Sequence, residues 1–313
     1  MLRRTAWLGH IYRRTAAYGS PHAVQSPFNV MSKCCCTATT TTTITTPVPN
    51  PSPPRHNSLL TLNGGKSMAT GRTPEAPSPH IVVTAETRAR IEQRQRTAFD
   101  FFDETLQLYG VEELIFCFNG GKDCTVLLDL LMRYCRQQGI SSRDIPMLYI
   151  KSDDAFAEID EFVARCVQHY DVQLIEYEES LKEALTHMSA DMPRIKGVFV
   201  GSRNTDPYCE HLAPMQPTDN GWPPMMRLNP LLEWSYHDVW HYIHLNCVAY
   251  CPLYDKGYTS IGYRSNTVPN PHLKRLDSCS SSSSPCSGTP GDFRPAWELA
   301  DPTTERAGRL PRK

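Results

Sequence analysis

Residues 112–130 read EELIFCFNGGKDCTVLLDL, and the architecture follows from how this stretch divides. Glu112–Phe118 is a short apolar run with two phenylalanines, the pattern of a buried strand. Asn119-Gly120-Gly121-Lys122-Asp123 interrupts it. From Cys124 onward Val126, Leu127, Leu130 and Leu131 recur at helical spacing and share one face. Strand, glycine-rich turn and helix start together make an anion site. The glycines let the chain turn sharply and bring N–H groups near a ligand, and the helix end adds unpaired donors and partial positive charge. Lys122 adds a full charge, so phosphate is the expected guest.

The same stretch excludes two common nucleotide loops. A Walker A loop has Gly six residues before its Lys and Ser or Thr after it, where this chain has Phe116 and Asp123. GxGxxG is absent as well. An isolated Asn-Gly-Gly is more often an ordinary turn, but the flanking strand and helix, the Lys and the Asp shift the reading toward a site. The similar string Asn63-Gly64-Gly65-Lys66-Ser67 lies in a Thr/Pro/Ser-rich segment with no helix after it and reads as linker.

Charge is unevenly distributed. Residues 1–74 contain eight Lys/Arg and no Asp or Glu, leaving the rest of the chain at about −9. An acidic body does not suit a broad nucleic-acid surface, and no run reaches the apolar length of a membrane span. Twelve scattered cysteines, with no CxxC, fit reduced thiols better than a disulfide framework.

Residues 1–80 cannot bury enough apolar surface to fold, since Thr37–Thr46 is almost pure Thr and Pro47–Pro54 is Pro-rich. We expect a disordered leader there. Its Arg-rich, acid-free start is compatible with an organellar transit peptide. A leader without targeting, on a cytoplasmic protein, is an equal reading. The folded body is expected over 84–310. It begins with an amphipathic helix from Thr84 to Tyr109 that buries Ile91, Phe99, Phe102 and Leu106. Then come strand 112–118, helix 123–138 capped by Gly139, strand 146–151, helix 156–170, strand 172–175, helix 178–189 and strand 195–200. Alternation at this spacing predicts βαβ units, a mostly parallel sheet with helices on both faces, and a ligand crevice at the carboxyl ends of the strands.

Gly201-Ser202-Arg203-Asn204-Thr205-Asp206-Pro207 follows the last of these strands. Arg203 has the fork that suits a phosphate, and Asp206 is a candidate to bind a metal or orient a nucleophile. A solvent-facing Arg–Asp pair in a turn is the plainer alternative. Residues 207–233 show few helix signals, after which Ser235 and Asp238 form a capping box for helix 236–246. Trp234 and Trp240 suit either the core or stacking against a flat ligand, with Asn229 and Glu233 available for its polar edge. Arg306 and Arg309, three residues apart, reach one anion if the chain turns helically there; from spacing alone a basic surface tail is the better explanation.

Taken together, FNGGKDCT (118–125), GSRNTDPY (201–208), PTDNGWPPMMRLNPLLEWSYHDVW (217–240), CPLYDKGYTSIG (251–262), NTVPNP (266–271), FRPAWEL (293–299) and ERAGR (305–309) resemble the eukaryotic FAD synthase family. That family is related to the phosphoadenylylsulfate reductases, and the likeness covers roughly residues 95–310 in order. It implies an adenine-nucleotide alpha-hydrolase-like α/β fold with a C-terminal flavin-side extension. It also implies FMN adenylyltransferase activity on ATP and FMN with Mg²⁺, and transient transfer of FAD to apoflavoproteins. Residue by residue, it implies that Asn119, Gly120, Gly121, Lys122 and Asp123 hold the ATP phosphates, with Tyr149, Ile150 and Gly201 beside the nucleotide. Arg203 and Asp206 would sit at the FMN phosphate and the reacting phosphorus. Arg227, Asn229, Glu233 and Trp234 would form the flavin side, and Arg306 and Arg309 would bring charge to the phosphates. No metal ligand set is assigned. The chain departs from the family at Ser265, where Glu is expected, and in the Ser-rich insertion 278–287.

Two rivals stay open at this stage. A phosphoadenylylsulfate-type reductase needs a nucleophilic Cys, and neither Cys279 nor Cys286 lies in a suitable motif. A non-catalytic flavin-nucleotide carrier would bind without consuming ATP. Cys209-Glu210-His211 makes a poor zinc site.

Overall fold

A computed structural model describes residues 83–275 and 292–311. The leader, the Asn63–Ser67 string and the Ser-rich insertion with Cys279 and Cys286 lie outside the described residues. In chain order the elements are α1 (Ala85–Leu108), β1 (Leu114–Phe118), α2 (Lys122–Gln138), β2 (Met147–Ile150), α3 (Ala157–Tyr170), β3 (Leu174–Tyr177), α4 (Leu181–Asp191), β4 (Gly197–Phe199), β5 (Met215–Pro217), β6 (Met226–Leu228) and α5 (Tyr236–Leu245). After α5 the described chain runs on in short 3-10 turns.

The six strands form one sheet in the order β3-β2-β1-β4-β6-β5. All neighbours are parallel except β5 on β6. The apolar run at 114–118 fits the centre because its alternate side chains enter two cores. Leu114, Phe116 and Phe118 join the one built with α1, α2, α3 and α5, while Ile115 joins Leu148, Val198 and Leu185 and Met188 of α4. This two-sided burial is what the parallel α/β expectation required. Among the described residues, no helix is long and apolar enough to cross a membrane.

The helix ends follow the local signals. Thr84 caps α1 by accepting from the Thr87 N–H, and Ser235 and Asp238 form the reciprocal box at α5. Gly139 closes α2 in the left-handed conformation at φ 69°. Two readings needed correction. β3 lies two residues beyond the predicted 172–175, with Val172 buried just ahead of it. β5 and β6 were not predicted at all, because each has only three residues beside prolines, too few to show alternation. β6 still matters, since it pairs with β4 and carries the chain toward α5.

On α5, His244 stacks edge-on against Trp297 with ring centroids 5.4 Å apart. Burial, reinforced by His241, lowers its pKa to about 4. The folded protein therefore holds His244 neutral where the unfolded chain, with a pKa of about 6.5, takes up a proton. The stability this contributes is complete above about pH 6.5 and is lost as pH falls toward about 4. Urea midpoints between those limits should fall less steeply for His244→Gln than for the wild type. Parallel profiles would assign the acid sensitivity to other groups.

Candidate active site

The strand order changes direction between β1 and β4: the chain proceeds outward to β2 and β3 on one side and to β6 and β5 on the other. At such a switch point the loops beyond the two strands part and leave a crevice. Here the loops are 119–121 and 201–207, and the cleft between them has a volume of about 640 Å³. Gly120 makes the turn possible with φ +72°, where a side chain would also press on Ile159. Gly201 lets β4 end against the start of α2, since a Cβ there would stand 3.0 Å from the Cys124 nitrogen.

Most of the expected residues meet in this cleft. Asn119, Gly121, Lys122, Asp123, Tyr149, Ile150, Gly201, Asp206, Arg306 and Arg309 all line it. Gly120 supports the loop from behind. Arg306 and Arg309 reach the cleft from turns rather than from a helix, and each has a guanidinium nitrogen 3.4 Å from the Ser260 hydroxyl.

Beneath the cleft lies a buried charge cluster. Lys122 Nζ donates to Asp123 at 2.9 Å and to Glu305 at 2.5 Å, and stands 5.1 Å above the Tyr236 ring. Arg203 donates to Glu305 at 2.7 and 2.9 Å and to Asp206 at 3.1 Å, and its Nε lies 2.9 Å from Asp123. Lys122 is 2% exposed and Arg203 1%. Burial opposes both charges, but the surrounding carboxylates outweigh it and raise both pKa values. Burial also disfavours charge on Asp123, yet Arg203 and Lys122 hold its pKa below the ordinary value. Asp206 goes the other way: burial, against the pull of Arg203 and with Asp123 alongside, raises it. The two aspartates are thus driven apart, a common mark of functional sites.

Lys122 and Arg203, expected at the phosphates, are paired with carboxylates in this structure. Both side chains are largely buried, Lys122 at the edge of the cleft and Arg203 behind it. Part of their counter-charge comes from Glu305, which directly precedes Arg306 and to which the sequence motif assigns no role. The loop donors are also partly engaged: Gly121 N–H donates to Asn119 Oδ1 at 2.9 Å and Lys122 N–H to the Tyr254 hydroxyl at 2.8 Å. Tyr254 belongs to the CPLYDKGYTSIG stretch, whose glycines and tyrosines suggest an ordered loop beside a ligand, and it lines the cleft. Burial first, then Asp123, keep it a neutral phenol with a proton to donate.

The expected flavin side does not line this cleft. Trp234 is 2% exposed and packs edge-on to Tyr242 in the core. Asn229 is buried and donates to the Ala213 carbonyl at 3.0 Å, and Arg227 is buried on β6. Glu233 is exposed, with Asn204 as its neighbour at 3.5 Å. Of the aromatics that line the cleft, the exposed one is Tyr208, 56% exposed and held at φ 65°, a conformation few bulky residues adopt. At Ser265 the local fit is explained: its N–H and hydroxyl both donate to Asp154, where a glutamate would face a like charge. Among the described residues, no three His, Cys, Asp or Glu groups form a metal cluster.

Comparison with known proteins agrees with this geometry. The phosphoadenosine phosphosulfate reductase domain model matches residues 113–193 and 179–269. A probable FAD synthase of Schizosaccharomyces pombe is 34% identical over 242 residues, spanning 76% of this chain and 84% of that protein. The chain belongs to the FAD synthase family. A second member, a probable FAD synthase of Caenorhabditis elegans, is 35% identical over 226 residues, but these are only 42% of its length. Among solved members, the Candida glabrata FMN adenylyltransferase in complex with FMN and an ATP analogue superposes with a TM-score of 0.64 at 28% identity, covering 74% of this chain and 94% of that one.

Proposed function

We propose that the protein transfers the AMP part of ATP to the phosphate of FMN, giving FAD and pyrophosphate. The observation that carries this reading is the convergence of Asn119, Asp123, Asp206, Arg306 and Arg309 on one cleft at the strand switch point. Family membership supplies the substrates. An FMN phosphate oxygen attacks the α-phosphorus of ATP, the new P–O bond forms, and the bond to the β-phosphate oxygen breaks to release pyrophosphate. The attacking phosphate has a second pKa of about 6 and is ionised at neutral pH, so no strong base is needed. Catalysis is then positioning and charge neutralisation.

Arg306 and Arg309 supply positive charge from the open side, and the start of α2 with Tyr254 supplies donors from the floor. Lys122 and Arg203 act indirectly, by holding Asp123 and Asp206 in place. The donor set suits Mg²⁺. Two aspartates line the cleft, and the cluster has three carboxylates to two cations, matching a hard ion that uses one or two carboxylates with substrate phosphates. Asp123 and Asp206 would hold the ion, which would neutralise charge on phosphate oxygens.

Thiol chemistry of the reductase kind is disfavoured here. The two thiols at the cleft, Cys117 and Cys124, are pushed up to about 12 by burial, so neither is a thiolate at neutral pH. The test is to incubate the full chain with FMN, ATP and Mg²⁺, resolve flavins by chromatography and assay pyrophosphate. Equal amounts of FAD and pyrophosphate are expected. FMN binding without either product would overturn the reading in favour of a carrier.

A further inference from the structure

We propose that Glu305 is a positioning residue: its buried carboxylate latches the C-terminal segment onto the phosphate loop and so holds Arg306 and Arg309 at the cleft. The inference rests on the reaction proposed above. It begins with a mismatch in the charge cluster. Asp123 and Asp206 already balance Lys122 and Arg203, so a third carboxylate is not needed for neutrality. Glu305 nevertheless touches both cations, as Asp123 does, with one oxygen 2.5 Å from Lys122 Nζ and both oxygens within 2.9 Å of Arg203 Nη2, and it is the carboxylate that reaches them from the C-terminal segment.

The main chain around it is anchored along 259–270. The Thr259 hydroxyl donates to the Glu305 carbonyl at 2.6 Å, and Asn270 donates to the Thr304 carbonyl at 2.9 Å. Val268 N–H donates to the Gly308 carbonyl and Leu310 N–H to the Asn266 carbonyl, both at 2.9 Å. By contrast Arg306 is exposed, and its side chain has a 3.4 Å contact with Ser260. The backbone that aims Arg306 is therefore set by its neighbour's ion pairs and by this narrow ladder, not by its own side chain.

Competition with substrate is the other role such a carboxylate can play, since Glu305 meets cations where a phosphate might. The burial argues against it. Lys122 and Arg203 are 2% and 1% exposed, so a substrate phosphate does not reach them while the segment is docked. Arg306 is the exposed cation at the cleft, while the Lys122 ammonium is turned toward Asp123 and Glu305.

The experiment is a double-mutant cycle on the full chain with Glu305→Gln, Arg306→Ala and the combination, read by FAD formation and by amide hydrogen exchange. Glutamine keeps the shape and an acceptor but removes the charge. Expected for Glu305→Gln is a loss of about tenfold in kcat/KM, with the double variant no slower than Arg306→Ala beyond about twofold, since residues acting through one another are non-additive. The amides of Val268 and Leu310 should exchange at least about tenfold faster while those of α2 are unchanged, the sign of a local opening. Fully additive losses, unchanged exchange at those two amides, or a faster enzyme would each overturn the latch. A wild type that makes no FAD overturns the reaction instead, and the exchange result still decides the latch.

Discussion

Replacing Asp123 with alanine is expected to lower turnover by about 10²–10³-fold, the scale seen when one preorganised charge is removed at a reacting centre. The fold should survive. Lys122 and Arg203 keep Glu305, Arg203 keeps Asp206, and the truncated cluster is left with two cations and two carboxylates. Because Arg203 and Lys122 overcome the effect of burial and hold Asp123 ionised, the variant loses a full charge at neutral pH and not a proton donor. The check is kcat measured at saturating Mg²⁺ beside a melting curve. Wild-type turnover in a folded variant would remove Asp123 from the mechanism.

Arg306→Ala is the second large loss, about 10²-fold in kcat/KM on the same reasoning. Here the stability should not move, since the side chain is exposed and enters none of the core ion pairs. Arg306→Lys should recover only part of the rate, because an ammonium cannot match the two-point fork of a guanidinium on phosphate oxygens. Full recovery by lysine would reduce the role of Arg306 to simple charge. An unchanged rate in the alanine variant would transfer the role to Arg309 alone.

The central strand and helix were legible because their patterns are local. The apolar run at 114–118 and the helical spacing after Cys124 need no partner to be read. The same holds for Thr84, Gly139 and the Ser235–Asp238 box. The convergence of loops 119–123 and 201–207 followed from strand alternation and the topology rule. What could not be read was pairing at long range. Lys122 looked like a free phosphate ligand because Glu305, its partner, is 183 positions away. For Trp234 spacing alone does not choose between core and ligand stacking, and Asn229 is a candidate for a ligand's polar edge; β4–β6 pairing draws that segment inside. Tyr208 gave no warning at all: its left-handed backbone has no signature in residue type.

The separation of Lys122 from Glu305 also bears on the order in which the molecule comes together. Closing a loop of 183 positions is slow compared with local pairing, and it needs the intervening strands to be in place first. On the ribosome the glycine turn and α2 are made before the arginines that complete the cleft. A half-made chain therefore carries the nucleotide loop without the charges that would commit a nucleotide to reaction. Docking of residues 305–309 onto the glycine turn is therefore the contact that joins the early-made half of the cleft to the later-made half.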